Sequence, residues 1–130
     1  MSQWTHVLFI AEVTTTERLS KQILKDQVEQ TALEYGEAIS GSEGGCDVFV
    51  NIPPRHDSVL LTDRDDQYGW SRAYITICGH LRDRTVDKTA EDVEWVVKRM
   101  KQDFTGVRNI TYDVMSDGEE LNYWRRLDES

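Results

Sequence analysis

His56-Asp57-Ser58 has the H-x-S form of two-histidine phosphoesterases, which set one imidazole as base and a second as acid across a phosphodiester. The other histidines stand in His6-Val7-Leu8 and His80-Leu81-Arg82, so the second copy is missing. His56 reads as a loop residue after Pro53-Pro54. Cys78 and His80 lie two apart in a strand-like run and therefore share a face, as a nucleophile and its base would. No Gly-rich elbow or helix start adjoins them, and packing is the stronger reading. Asp63, Asp65 and Asp66 have the acidic spacing of a calcium loop, but the EF-hand positions that need Gly and a bidentate Glu hold Tyr68 and Tyr74. Three histidines and two cysteines fit no zinc spacing. The residues thus point to a protein that is not an enzyme, with no catalytic residue, metal site or cofactor.

One constellation keeps a ligand in view. Arg72, Arg82 and Arg84 flank a single strand-like run, Lys88 follows, and Tyr68, Trp70 and Tyr74 lie close by. Arginines donate in pairs to phosphate and aromatic rings offer stacking faces, so Arg72, Tyr74, Arg82 and Arg84 are candidates to bind a nucleotide-type small molecule. The competing reading pairs those arginines with Asp83 and Asp87 and places the rings in the core.

The chain carries 24 acidic and 15 basic residues, a net charge of −9. Residues 36–70 hold seven acids and two bases, while residues 71–106 hold six acids and seven bases. Acidity on this scale disfavours direct nucleic-acid binding, because that affinity comes from Lys and Arg neutralising phosphates. It suits docking on a host protein with a basic surface. The loop residues Asp63, Asp65 and Asp66, with Tyr68 and Trp70 as aromatic anchors, are the expected partner-binding surface. Apolar residues make up 38% of the chain, enough for one core, and no apolar run approaches the roughly 20 residues of a membrane span. No leader is recognisable, and two cysteines do not make a disulfide framework, so a cytoplasmic protein without membrane contact is expected.

These residues need a scaffold. Thr5–Val13 is apolar at nearly every position and reads as a central strand covered on both faces. Thr14 with Glu17 fits a capping box, Thr16 competes as N-cap, and a helix over 17–35 follows, with Gly36 as its C′ residue. Residues 40–45 read as a turn, 46–52 as a half-buried strand, 59–62 as a short strand and 73–81 as another strand. Thr89 starts a second helix with an apolar stripe of Val93, Val96, Val97, Met100 and Phe104, stopped by Gly106, and 107–114 is a further strand. The tail, 119–130, docks or is partly flexible, as helix or added strand. The expected fold is a single α+β domain over 1–130. Its plan is ferredoxin-like β-α-β-β-α-β, an antiparallel sheet with two helices on one face, plus an inserted loop or short strand.

Trp4-Thr5-His6, Gly41-Ser42-Glu43-Gly44, Ala73-Tyr74 and Gly79-His80-Leu81-Arg82-Asp83 together resemble small bacteriophage proteins of unassigned function. The resemblance implies an accessory role in an infected cell's cytoplasm: binding and inhibiting a host protein, including in counter-defence. Sequestering a nucleotide-type ligand is the alternative, and a structural virion component a further one. Self-association into a homo-oligomer stays open.

Overall fold

The computed structural model describes residues 4–53, 69–116 and, for the backbone alone, 122–127. Strand β1 (Trp4–Leu19) leads to helix α1 (Lys21–Ala38). A two-residue ladder, β2 (Ser40–Gly41) with β3 (Gly44–Gly45), precedes β4 (Asp47–Asn51). Strand β5 (Trp70–Arg82), helix α2 (Val86–Asp103), β6 (Gly106–Ser116) and β7 (Asn122–Leu127) follow. The sheet runs β4-β5-β1-β6-β7, every neighbour antiparallel. The architecture is mixed α+β, with two helices and an antiparallel sheet. The element order departs from the expected six-element plan by β2, β3 and β7.

Strand β1 is longer than expected and α1 starts later. Thr14 does not cap the helix, because its carbonyl accepts from the Thr105 amide and from Thr105 Oγ1. The β-branched run Thr14-Thr15-Thr16 stays extended. Ser20 takes the cap instead, its hydroxyl accepting from the Ile23 amide. Gly36 is not a C′ residue either; it lies buried inside α1, which ends at Ile39. A Cβ there would come within 2.6 Å of both the Cys46 carbonyl oxygen and Val48 Cγ2, so glycine is what lets α1 lie directly on the start of β4. The expected turn at 40–45 is the β2–β3 ribbon, with Gly44 at φ 132. Thr85, not Thr89, caps α2, accepting from the Lys88 amide. Thr89 sits one turn in, buried, and donates to the Thr85 carbonyl. Gly106 opens β6 rather than stopping α2, which ends at an extended Phe104. The 59–62 segment lies outside the described residues. Residues 122–127 of the tail are a strand beside β6.

Both helices pack on one face of the sheet. Val7, Phe9, Ala11 and Val13 of β1, Ile75 and Ile77 of β5, and Ile110, Tyr112 and Val114 of β6 meet Leu24, Val28 and Tyr35 of α1 and Val93, Val97 and Met100 of α2. At the helix ends, buried Tyr35 donates to Asp103 Oδ2 at 2.6 Å. Val97 is part of this core, so Val97→Asp buries an unpaired charge. We expect a loss of several kcal/mol out of a stability of about 5–15. Thermal melting checks this; an unchanged midpoint would refute the placement of α2.

Candidate functional site

Register partners in a sheet share a face, and side chains alternate between faces along each strand. With Val7, Phe9 and Val13 directed at the helices, β1 turns Trp4, His6, Leu8, Ile10 and Glu12 to the opposite face. Their partners across β5 are Arg82, His80, Cys78, Thr76 and Tyr74. Met115, Asp113, Thr111 and Arg108 join them from β6, and Asp47, Phe49 and Asn51 from β4. Neither α1 nor α2 covers this face. Leu8 is 48% exposed and Phe49 53%, with Ile10 and Met115 also open. This corrects one expectation: β1 is apolar on both faces, yet among the described residues only one face is covered.

The face has two polar ends. At one end Glu12 is buried, 3% exposed, although it lies on the open side of the sheet. Arg108 Nε donates to Glu12 Oε2, and the Tyr74 hydroxyl bonds to the same carboxylate. The hydrogen bond to Glu12 is the main reason the Tyr74 phenol is raised above its ordinary value. Arg108 reaches Glu12 because of a bulge. Ile10 pairs with Thr111 but Glu12 pairs with Arg108, so β6 spends one extra residue there. Asn109 absorbs it at φ 56, a left-handed conformation that asparagine tolerates better than most side chains.

At the other end His6 and His80 stack with centroids 3.9 Å apart, and Trp4 tilts against His80 at 4.5 Å. Arg82 Nη1 donates to Glu43 Oε1 at 2.6 Å, and Asp83, at φ 61, accepts from the Ser42 hydroxyl.

The four proposed ligand residues do not converge. Arg72 and Tyr74 lie at the Glu12 end, whereas Arg82 is ten residues further along β5, about 33 Å away at roughly 3.3 Å per residue. Arg84 lies beyond the strand, donating to the Ser40 carbonyl and to Asp92 Oδ2 at 2.8 Å. Burial pushes the Asp92 carboxyl up, and Arg84 opposes that shift. Of the partner-surface residues, Asp63, Asp65, Asp66 and Tyr68 lie outside the described residues. Trp70 is a core residue, 6% exposed, opposite Leu19 and with Lys21 Nζ over its ring. Its ring is not displayed as an anchor.

The described groups do not assemble a metal centre: no three His, Cys, Asp or Glu side chains among them are placed to hold an ion. His56 is outside the described residues. Cys78 and His80 do share the open face, and the rings packed on His80 are those of His6 and Trp4. Burial, with Cys78 nearby, pushes the Cys46 thiol up to about 12, away from thiolate chemistry. No helix among the described residues is long and apolar enough to cross a membrane. No family model matches the chain, nor does any curated protein or solved structure.

Sequence reasoning missed Leu8, Ile10, Phe49, Met115, Glu12 and Arg108 as a surface. The available signal is the two-sided apolarity of β1, which by itself does not distinguish burial under a second layer from an exposed apolar face.

Two measurements test this description. Asn109→Val should cost about 1–2 kcal/mol in urea unfolding, because a β-branched residue resists positive φ, while Asn109→Gly should be tolerated. A raised thiol binds its proton more tightly folded than unfolded, so its contribution is intact below the ordinary value of 9.0 and is lost as pH rises toward about 12. Tyr35, raised by burial and by its bond to Asp103, acts in the same direction above its ordinary 10.0. The melting temperature should therefore fall through this alkaline window, and less steeply in Cys46→Ser.

Proposed function

We propose that this chain is a non-enzymatic phage accessory protein that binds and inhibits a host protein with a basic surface, working in the host cytoplasm. The observation that carries this is the outward arc of α1. There Ile23 and Leu33 are half-exposed among Asp26, Glu29, Glu34 and Glu37, all of them exposed as well. Glu34 is bridged to Arg99 and Lys25 is exposed on the same helix, yet the acids outnumber the bases there; apolar side chains on an acidic helix suit a basic protein, since the acids speed the encounter and the apolar contacts hold it. The acidic stretch 36–70 begins at the end of this helix and adds Asp63, Asp65 and Asp66 to the same charge.

We also propose the ferredoxin-like plan for the fold, with β2–β3 and β7 as additions. What supports it is β1 between β5 and β6 with both helices on one side.

Affinity capture from host lysate should recover one stable protein partner, and its association should slow as salt rises. Leu33→Glu should weaken the complex by lost contact, leaving the fold intact. Replacing Asp63, Asp65 and Asp66 by Asn should slow association and flatten its salt dependence without lowering the melting temperature. Recovery of no partner, or of small molecules alone, would refute the reading. Unchanged binding at low salt in the triple variant would remove that segment from the contact.

A further inference from the structure

Among the described residues, the face that α1 and α2 leave uncovered exposes Leu8, Ile10, Phe49 and Met115, with Asp47 and Asp113 beside them, and carries equal numbers of acids and bases. We infer that it is the contact surface of a homodimer, two copies packing sheet against sheet with their helical sides outward. This is a different surface from the helical one proposed for the host protein and does not depend on that proposal.

Three observations converge on a second copy. The central strand comes first. A strand open on one side alternates polar with apolar residues, whereas one covered on both sides is apolar throughout. Strand β1 is of the second kind through Val7, Leu8, Phe9, Ile10 and Ala11, yet Leu8 and Ile10 stand exposed at the centre of the sheet, where edge fraying cannot account for them. Phe49 and Met115 widen the patch over β4 and β6.

Charge is the second. The molecule carries −9, but the described charges on this face are three carboxylates, Glu12, Asp47 and Asp113, against three guanidinium groups, Arg72, Arg82 and Arg108. A basic partner would be drawn to the acid excess elsewhere. An isologous contact sets the patch against itself, and a patch without net charge does so without the overall repulsion that the rest of this acidic surface would bring.

Area is the third. Strands about 4.8 Å apart, rising about 3.3 Å per residue, give this five-stranded face a plan of about 800 Å² before side-chain relief. A standard interface takes about 800 Å² from each partner, so the face is of the size that a stable dimer uses.

The full-length chain is tested by analytical ultracentrifugation across micromolar concentrations at low and high salt. Wild type should sediment as a dimer of the 15.1 kDa chain. The dimer should strengthen with added salt, because the contact is balanced and only the remaining −9 on each copy repels. Host-protein binding has the opposite salt dependence, so the two readings fail separately. Leu8→Glu and Phe49→Glu, both at exposed positions, should abolish the dimer with unchanged circular dichroism and melting. Leu33→Glu on α1 should leave it intact. If Leu8→Glu does not fold, Met115→Glu takes its place. A wild type monomeric under all these conditions overturns the inference, as does a dimer that survives both sheet-face variants. A monomer that loses its host protein on Leu8→Glu would assign the face to that protein and also overturn it.

Discussion

Strand β1 is the constraint on which the rest of the molecule depends. It pairs with β5 from Trp4 opposite Arg82 to Thr14 opposite Arg72, and with β6 from Thr5 opposite Ser116 to Thr14 opposite Gly106. A strand bonded along both edges has its backbone groups committed, so its register sets which side chains of its neighbours share a face. A slip of one residue would turn Val7, Phe9 and Val13 away from the helices and bring His6, Leu8 and Ile10 onto them. The fully buried Phe9 and Val13 resist that slip, since burying a large apolar side chain is worth about 1.5–3 kcal/mol each.

Two local departures from regularity let the elements close on this strand. The missing side chain at Gly36 admits the Cys46 carbonyl and Val48 against α1, which brings the first helix onto β4. The extra residue in β6 at Asn109 re-aims Arg108 onto the open face, where it meets the buried carboxylate of Glu12. A buried carboxylate left without a cation would cost several kcal/mol, so the bulge and the Glu12–Arg108 pair depend on each other.

The open face and the helical side divide the chemistry of the surface between them. The helices display exposed carboxylates around Ile23 and Leu33. The sheet displays apolar side chains between a histidine stack at one end and the Glu12 cluster at the other, with equal numbers of acidic and basic groups among the described residues. That partition explains why the Arg72, Arg82 and Arg84 set does not form a pocket. Arg82 and Arg84 are held by Glu43 and Asp92, and a guanidinium already bridged to a carboxylate has fewer donors left for phosphate.

Periodicity alone identified the elements that bury one clean face. The alternation from Cys46 to Ile52, the Val93–Met100 stripe and the apolar run of β1 all become the expected strand or helix, and Val7, Phe9, Val50, Ile75, Ile77, Val93, Val97, Met100 and Ile110 are core, whereas Val48, expected with them, is only partly buried against it. Helix starts were less legible. Thr14 and Thr89 have the right side chains for caps, but capping depends on which backbone groups are still unpaired, and Thr105 had already taken the Thr14 carbonyl. The sites depended more heavily on tertiary structure. Arg108 meets Glu12 across 96 positions through a bulge that no local pattern announces, and His6 meets His80 only because β1 and β5 pair in that register. Leu8 and Ile10 are apolar in the sequence, but hydrophobicity says only that a side chain should leave water. Whether a helix or nothing in the described chain covers it is decided by where α1 and α2 pack, and they pack on the other face.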